Sequence, residues 1–201
     1  MTLKAMNRLS IPLFPLHTVL FPGGPLALRI FEPRYLDMVS RCLRRNTGFG
    51  VVLIRDGDEV GDTPEVYEVG TLGRISYWEQ RRDGLLGITF TGEQRFRILE
   101  RWVEPNRLMV AEVELLPNEP AVAVPGEYSE LVTRLLRIID ALGHPYLTLP
   151  KAYDDSVWVG ARLVELLPLD LTQKQHLLQL DDPLERLERI AGLLANSRGR
   201  G

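Results

Sequence analysis

A chain of 201 residues, 45% hydrophobic and 25% charged, suits one large domain or two small ones and is long enough to bury a sizeable core. Its net charge of −3 supplies no basic field for nucleic acid or an anionic membrane. Apolar runs such as FGVVLI fall far short of the ~20 residues that a bilayer span needs. One cysteine, Cys42, excludes a disulfide within these residues and any zinc site built on several thiolates. The N-terminus has neither the apolar centre nor the cleavage site of a signal peptide, so a cytoplasmic location is expected. Of the 24 basic residues 21 are arginine, but they are dispersed among acids and form no stripe.

The front of the chain reads as strands. RLSIPLFPL is apolar but carries Pro12 and Pro15, which fits an edge strand or a strand end. Gly23 and Gly24 supply a turn before PLALRIF, where Leu26, Leu28 and Ile30 alternate onto one face. One helix then interrupts. Pro33 suits its first position, Glu32 favours its N-terminus, and Arg44 and Arg45 favour its C-terminus. Tyr35, Leu36, Val39, Cys42 and Leu43 are expected on its apolar face. GFGVVLIR follows as a short apolar strand, and GDEVGD (57–62) as a solvated hairpin loop. VYEVGTLGRISYWEQ continues the pattern, with Gly70 and Gly73 at bends or bulges. RRDGLLGITFTGEQRFRILERW predicts two strands joined by a turn or bulge at Gly92, with Arg95 and Arg97 facing water or a cross-strand acid. RLMVAEVELL is a final strand. So many short strands punctuated by Gly and Pro predict a small barrel-like sheet.

Residues 118–127 read as a proline-rich linker, and the remainder is helical. Leu131, Leu135, Ile138 and Leu142 recur at helical spacing. DDSVWVGARLVELLP starts with capping residues and ends at Pro168. Thr172 and Gln175 have capping-box spacing, and Asp182, Pro183 and Glu185 open a last helix with Leu184, Leu187, Ala191 and Leu194 on its apolar face. The division is therefore residues 1–117, β-rich; 118–127, linker; 128–196, helical; and 197–201, a disordered tail. The fold class is α+β.

Chemistry is hard to place. None of the three lysines follows the glycines of a phosphate-binding loop. His17 lies among apolar residues and prolines with no assignable partner and reads as structural. His144 and His176 sit in a helical connection and on a helix. The three histidines form no local metal motif, and no cofactor is expected. Cys42, on an apolar helix face, reads as a buried hydrophobe. Trp78, Trp102 and Trp158 fit either a core or a groove.

IPLFPLHTVLFPGGPLALRIFEPRYLDMV, FGVVLI, VGTLGRI and GEQRFRIL, in that order, resemble the N-terminal substrate-recognition domain of the ATP-dependent Lon proteases. ARLVELLPLDLTQKQHLLQLDDPLERLERI is similar to the helical half of such domains, so the resemblance spans residues 9–195. It implies a partly open barrel of the pseudouridine-synthase-associated kind followed by a helical bundle. It also implies a role in capturing unfolded or tagged polypeptides, as an adaptor or alongside a protease or chaperone. These 201 residues hold no ATPase module and no catalytic serine followed by its lysine, so a stand-alone, non-catalytic member is expected. An apolar groove between the two halves is expected to take exposed side chains, aided by main-chain pairing to an open strand edge. Phe31, Tyr35, Trp78, Phe90 and Trp158 are its candidate contacts, with Arg34 and Arg95 beside them. Neither nucleic acid nor membrane is an expected partner, and the chain is expected to be a monomer or weak homo-oligomer. The alternatives are a small hydrolase or peptidase using one of six serines or Cys42 with a histidine, and an RNA-binding module of the same barrel type.

Overall fold

The computed structural model describes residues 8–143 and 145–198. The chain divides into two compact units, Met1–Asn118 and Glu119–Gly201. His144 lies outside the described residues.

The first unit contains β1 (Arg8–Leu16), β2 (Pro25–Ile30), α1 (Pro33–Arg45), β3 (Phe49–Asp56), β4 (Glu65–Val66), β5 (Val69–Gln80), β6 (Leu86–Val103) and β7 (Met109–Leu115). The sheet runs β1-β7-β6-β5-β3-β4, with β2 on β6. It curls until its two sides meet at β1, but they meet on different halves of that strand. Arg8–Pro12 pair antiparallel with β7, whereas Leu13–Leu16 pair parallel with β3. Beside the first half of β1 the wall is therefore incomplete, and the barrel is partly open. Pro12 stands where β1 changes partner, a position that tolerates a residue without an N–H.

The turn before β2 needs Gly23, whose φ is +75°. Its N–H donates to Gly92 O at 2.8 Å, fastening the turn to β6. β6 is one continuous strand of 18 residues, not two. Gly92 makes no turn. The β5–β6 register shifts between Leu72 and Gly73, leaving Glu93 as an extra residue, and this bulge lets one long strand bend.

In α1 the buried residues are Arg34, Tyr35, Met38, Val39 and Cys42, while Leu36 and Leu43 are exposed. The helix is thus rotated from the expected face, because Met38 rather than Leu36 meets the sheet. Glu32 makes no side-chain cap and instead pairs with Arg34 at 2.8 Å. Under α1, Phe14 packs on Tyr35 with ring centroids 4.1 Å apart, and Phe49 stacks on Phe90 at 4.0 Å. A second cluster around Leu13, Phe96, Met109 and Val113 fills the rest of the barrel. Arg95, expected to face water or a cross-strand acid, is buried, and so is Thr71 opposite it on β5, which donates to Leu20 O.

The second unit holds α2 (Ser129–Leu142), α3 (Ser156–Leu166), α4 (Leu171–Gln179) and α5 (Pro183–Arg198). α3 packs against the other three. Asp155 caps α3, its Oδ1 accepting from Val157 N at 3.0 Å and from Val122 N at 3.2 Å. The stretch around Val122 is thereby tied to the start of α3, and Gly126–Tyr128 form a 3-10 turn leading into α2. The capping box of α4 is Asp170 with Gln173, one turn-start earlier than Thr172 and Gln175, because Asp170 follows the break at Pro168. Gln175 is buried. In α5 the buried side chains include Arg186, Leu187 and Ile190. Ser197 and Arg198, expected in a tail, belong to α5, and 199–201 lie outside the described residues.

Candidate functional site

β5 changes character along its length. From Thr71 to Gly73 it is flanked by β3 and β6, but the β3 ladder ends at the Phe49–Gly73 pair. Beyond Gly73, among the described residues, β5 pairs with β6 alone. From Ser76 to Gln80 every residue is exposed. A strand edge with unpaired N–H and C=O groups and no cover is a template for another chain.

The register shows what this edge presents. Trp78 lies opposite Ile88, which lies opposite Leu28 of β2. Residues directly paired across strands share a face. Ile88 is buried, Leu28 is half-buried, and Trp78 is 58% exposed, so the indole carries the apolar face of the core out to the rim. Tyr77, 59% exposed, lies opposite Thr89 and projects to the other face. Phe31, just past the end of β2, is 53% exposed.

The other expected contacts sit elsewhere. Tyr35 and Phe90 spend their surface in the core, stacked as described. Arg34 is buried, donates from Nη1 to Arg107 O at 3.2 Å and lies over the Tyr35 ring. Arg95 is buried. Trp158, in α3 of the second unit, is half-buried with its ring edge-on to Tyr153 at 5.0 Å. Of the seven, Phe31 and Trp78 are those that present broad apolar area to solvent. The free edge of β5 and Tyr77 escaped the sequence reading. SYWEQRRDG does hold a signal: adjacent aromatics in a strand point to opposite faces, so a one-sided core leaves one of them outside.

The groups considered for catalysis are not assembled. His17 is exposed, and its contribution is a backbone N–H donated to Glu59 Oε1 at 2.6 Å. Among the described residues neither His17 nor His176 hydrogen-bonds a serine or Cys42. The buried Cys42 thiol donates to Gly48 O at 3.4 Å, and burial pushes its pKa up, away from the reactive thiolate. No group of three or more His, Cys, Asp or Glu among the described residues is placed to hold a metal ion. No described helix is long and apolar enough to cross a membrane. Several surface arginines are engaged by carboxylates, as in Arg8–Glu112, Arg29–Asp83, Arg55–Glu65 and Arg107–Asp62.

Residues 10–196 match the family model of the ATP-dependent protease La (LON) substrate-binding domain. The chain belongs to this family. A Lon N-terminal domain protein from Xanthomonas campestris has a crystal structure that superposes with a TM-score of 0.76 at 40% identity, covering 92% of this chain and 98% of that one. Lon protease 2 of Herpetosiphon aurantiacus is 26% identical over 96% of this chain, and protein cereblon of Xenopus tropicalis is 30% identical over 54% of it. The chain spans 24% of the length of each of these two relatives. The N-terminal domain of a Mycobacterium avium complex Lon protease, 16% identical with a TM-score of 0.56, shares the fold. The matched region is the Lon substrate-binding domain, a non-catalytic module, and beyond Gly73 one edge of its β5 has no strand partner among the described residues.

Proposed function

We propose that this Lon substrate-binding domain captures unfolded or tagged polypeptides in extended form along the open edge of β5. The observation that carries this reading is the stretch Arg74–Gln80, paired on one side only and uncovered from Ser76 onward. Backbone N–H and C=O groups of an added strand satisfy those of β5 whatever the client's sequence, which suits a receptor for many clients. Trp78 and Tyr77 supply apolar contact on the two faces of the edge, and Phe31 extends that surface beyond β2. Such a module works in the cytoplasm as a receptor or adaptor, handing clients to a protease or chaperone.

The test is fluorescence anisotropy with a dye-labelled unfolded polypeptide. Saturable binding with Kd on the order of tens of micromolar is expected, in the range of weak recognition. Trp78→Ala is expected to weaken it about tenfold, as loss of an aromatic anchor does. Absence of saturable binding, or binding indifferent to Trp78→Ala, contradicts the reading.

A further inference from the structure

The opening in the barrel wall beside β1 forms a cleft of about 450 Å³. It occupies the place where β3 would continue if the strand were extended back beyond Phe49, between Leu9–Pro12 of β1 and Leu72–Arg74 of β5. Its inner end is shut by backbone: a Cβ on Gly48 would lie 1.9 Å from Gly73 O. Ile11, Met38 and Val110 give it an apolar interior, and all three are buried. The C-terminal end of α1 brings Arg41 and Arg45 to its lining.

The charges at the cleft are not balanced within it. Arg74 is engaged, with Glu93 at 3.1 Å and Asn46 O at 3.2 Å. Arg41 Nη2 is 3.6 Å from Glu104, beyond hydrogen-bond length, and this buried nitrogen has no acceptor among the described residues. Arg45 is exposed and, among the described residues, has no carboxylate partner. An apolar cleft lined by Arg41, Arg45 and Arg74 against Glu93 and Glu104, with Arg41 Nη2 short of a hydrogen-bond acceptor and Arg45 without an ion-pair partner among the described residues, complements an apolar side chain bearing a carboxylate.

The free edge of β5 begins at Arg74, a residue of the cleft itself. A strand added antiparallel to β5 runs in the direction of β3, from Trp78 towards Gly73. The five residue steps from Trp78 to Gly73 cover roughly 16 Å at about 3.3 Å each. We infer that the cleft receives the C-terminal residue of the captured polypeptide, its side chain over Met38 and its free carboxylate on Arg41 and Arg45. This rests on the reading of β5 as the capture edge, and adds to it a preference for chain ends.

The experiment uses two dye-labelled peptides of one sequence ending in leucine, one with a free C-terminal carboxylate and one with a carboxamide. The carboxylate form is expected to bind about tenfold more tightly, the scale of a lost charge-assisted hydrogen bond. Arg45→Ala, at an exposed position, is expected to collapse that difference, as is Arg41→Gln. Equal affinity of the two peptides overturns the inference, and so does a difference that survives both substitutions. If both peptides bind equally yet respond to Trp78→Ala, the cleft assignment falls and the β5 edge stands. If neither peptide nor an unfolded polypeptide binds, both fall.

Discussion

Glu119 and Arg186 form a two-pronged ion pair, Nη1 to Oε2 at 2.7 Å and Nη2 to Oε1 at 2.6 Å, with side chains only 8% and 1% exposed. Arg186 also donates to Leu177 O and Leu180 O, so its guanidinium joins the first residue of the second unit to the end of α4 and to α5. Removing one partner leaves an uncompensated buried charge. Glu119→Ala is therefore expected to destabilise the protein by about 3–5 kcal/mol, measured by urea unfolding followed through helical circular dichroism. A loss below about 1 kcal/mol, the usual worth of an exposed pair, would show that water reaches Arg186.

Gly73 is held where β5, β6 and the α1–β3 connection meet. A Cβ there would lie 2.2 Å from Thr91 O and 2.7 Å from a Phe90 ring carbon. Gly73→Ala forces the β5–β6 ladder apart at its bulge and is expected to cost about 2–3 kcal/mol, the scale of overpacking, with faster amide exchange from Leu72 to Ile75. Gly84→Ala tests a different cause: there the Cβ meets open space, but φ is +82°, so any loss reflects backbone strain alone.

Burial pushes the Tyr35 phenol up to about 12, with Arg34 opposing the shift and Glu32 adding to it. An unfolded tyrosine ionises near pH 10. Between the two values the unfolded state has released a proton that the native state keeps, so stability is whole below about pH 10 and is lost as pH rises towards 12. Tyr146 behaves alike in the second unit. Alkaline unfolding is expected to become less steep in Tyr35→Phe, and to flatten further when Tyr146→Phe is added. An unchanged profile would place the alkaline sensitivity elsewhere.

Asp155 serves two backbone donors from different parts of the chain, Val157 N at the start of α3 and Val122 N. Asp155→Ala is expected to cost about 1–2 kcal/mol, at the upper end for a helix cap because two donors are orphaned. Asp155→Asn, which keeps an acceptor oxygen, should recover most of it by thermal unfolding.

Much of the fold was legible because its signals are local. Pro33 and the paired arginines 44 and 45 bound α1 as read, and α3, α4 and α5 start at capping residues or a proline. What failed depends on long-range partners. Leu36 and Met38 both lie near an apolar face, and only contact with the sheet decides which is buried. Gly92 reads locally as a turn or bulge between two strands; the bulge is there, but β2, β5 and β7 all pair with one strand that runs through it. Arg95 has the alternation of a surface arginine, yet the face it shares with Thr71, opposite the core side of Phe96, is covered where Thr71 donates to Leu20 O. The candidate edge was hidden for the same reason: a strand's pattern does not tell how many neighbours it has. Trp78 and Phe31 were picked as aromatics; Trp78 is exposed beyond the point where the β3 ladder stops, and Phe31 just past the end of β2.

The central claim is that polypeptides dock on β5. The direct measurement is amide hydrogen exchange of the protein with and without saturating unfolded polypeptide. The account predicts slowed exchange within Ser76–Gln80, lost in Trp78→Ala, with the helices of the second unit unchanged. Protection confined to α2–α5, with β5 exchanging as in the free protein, would contradict it.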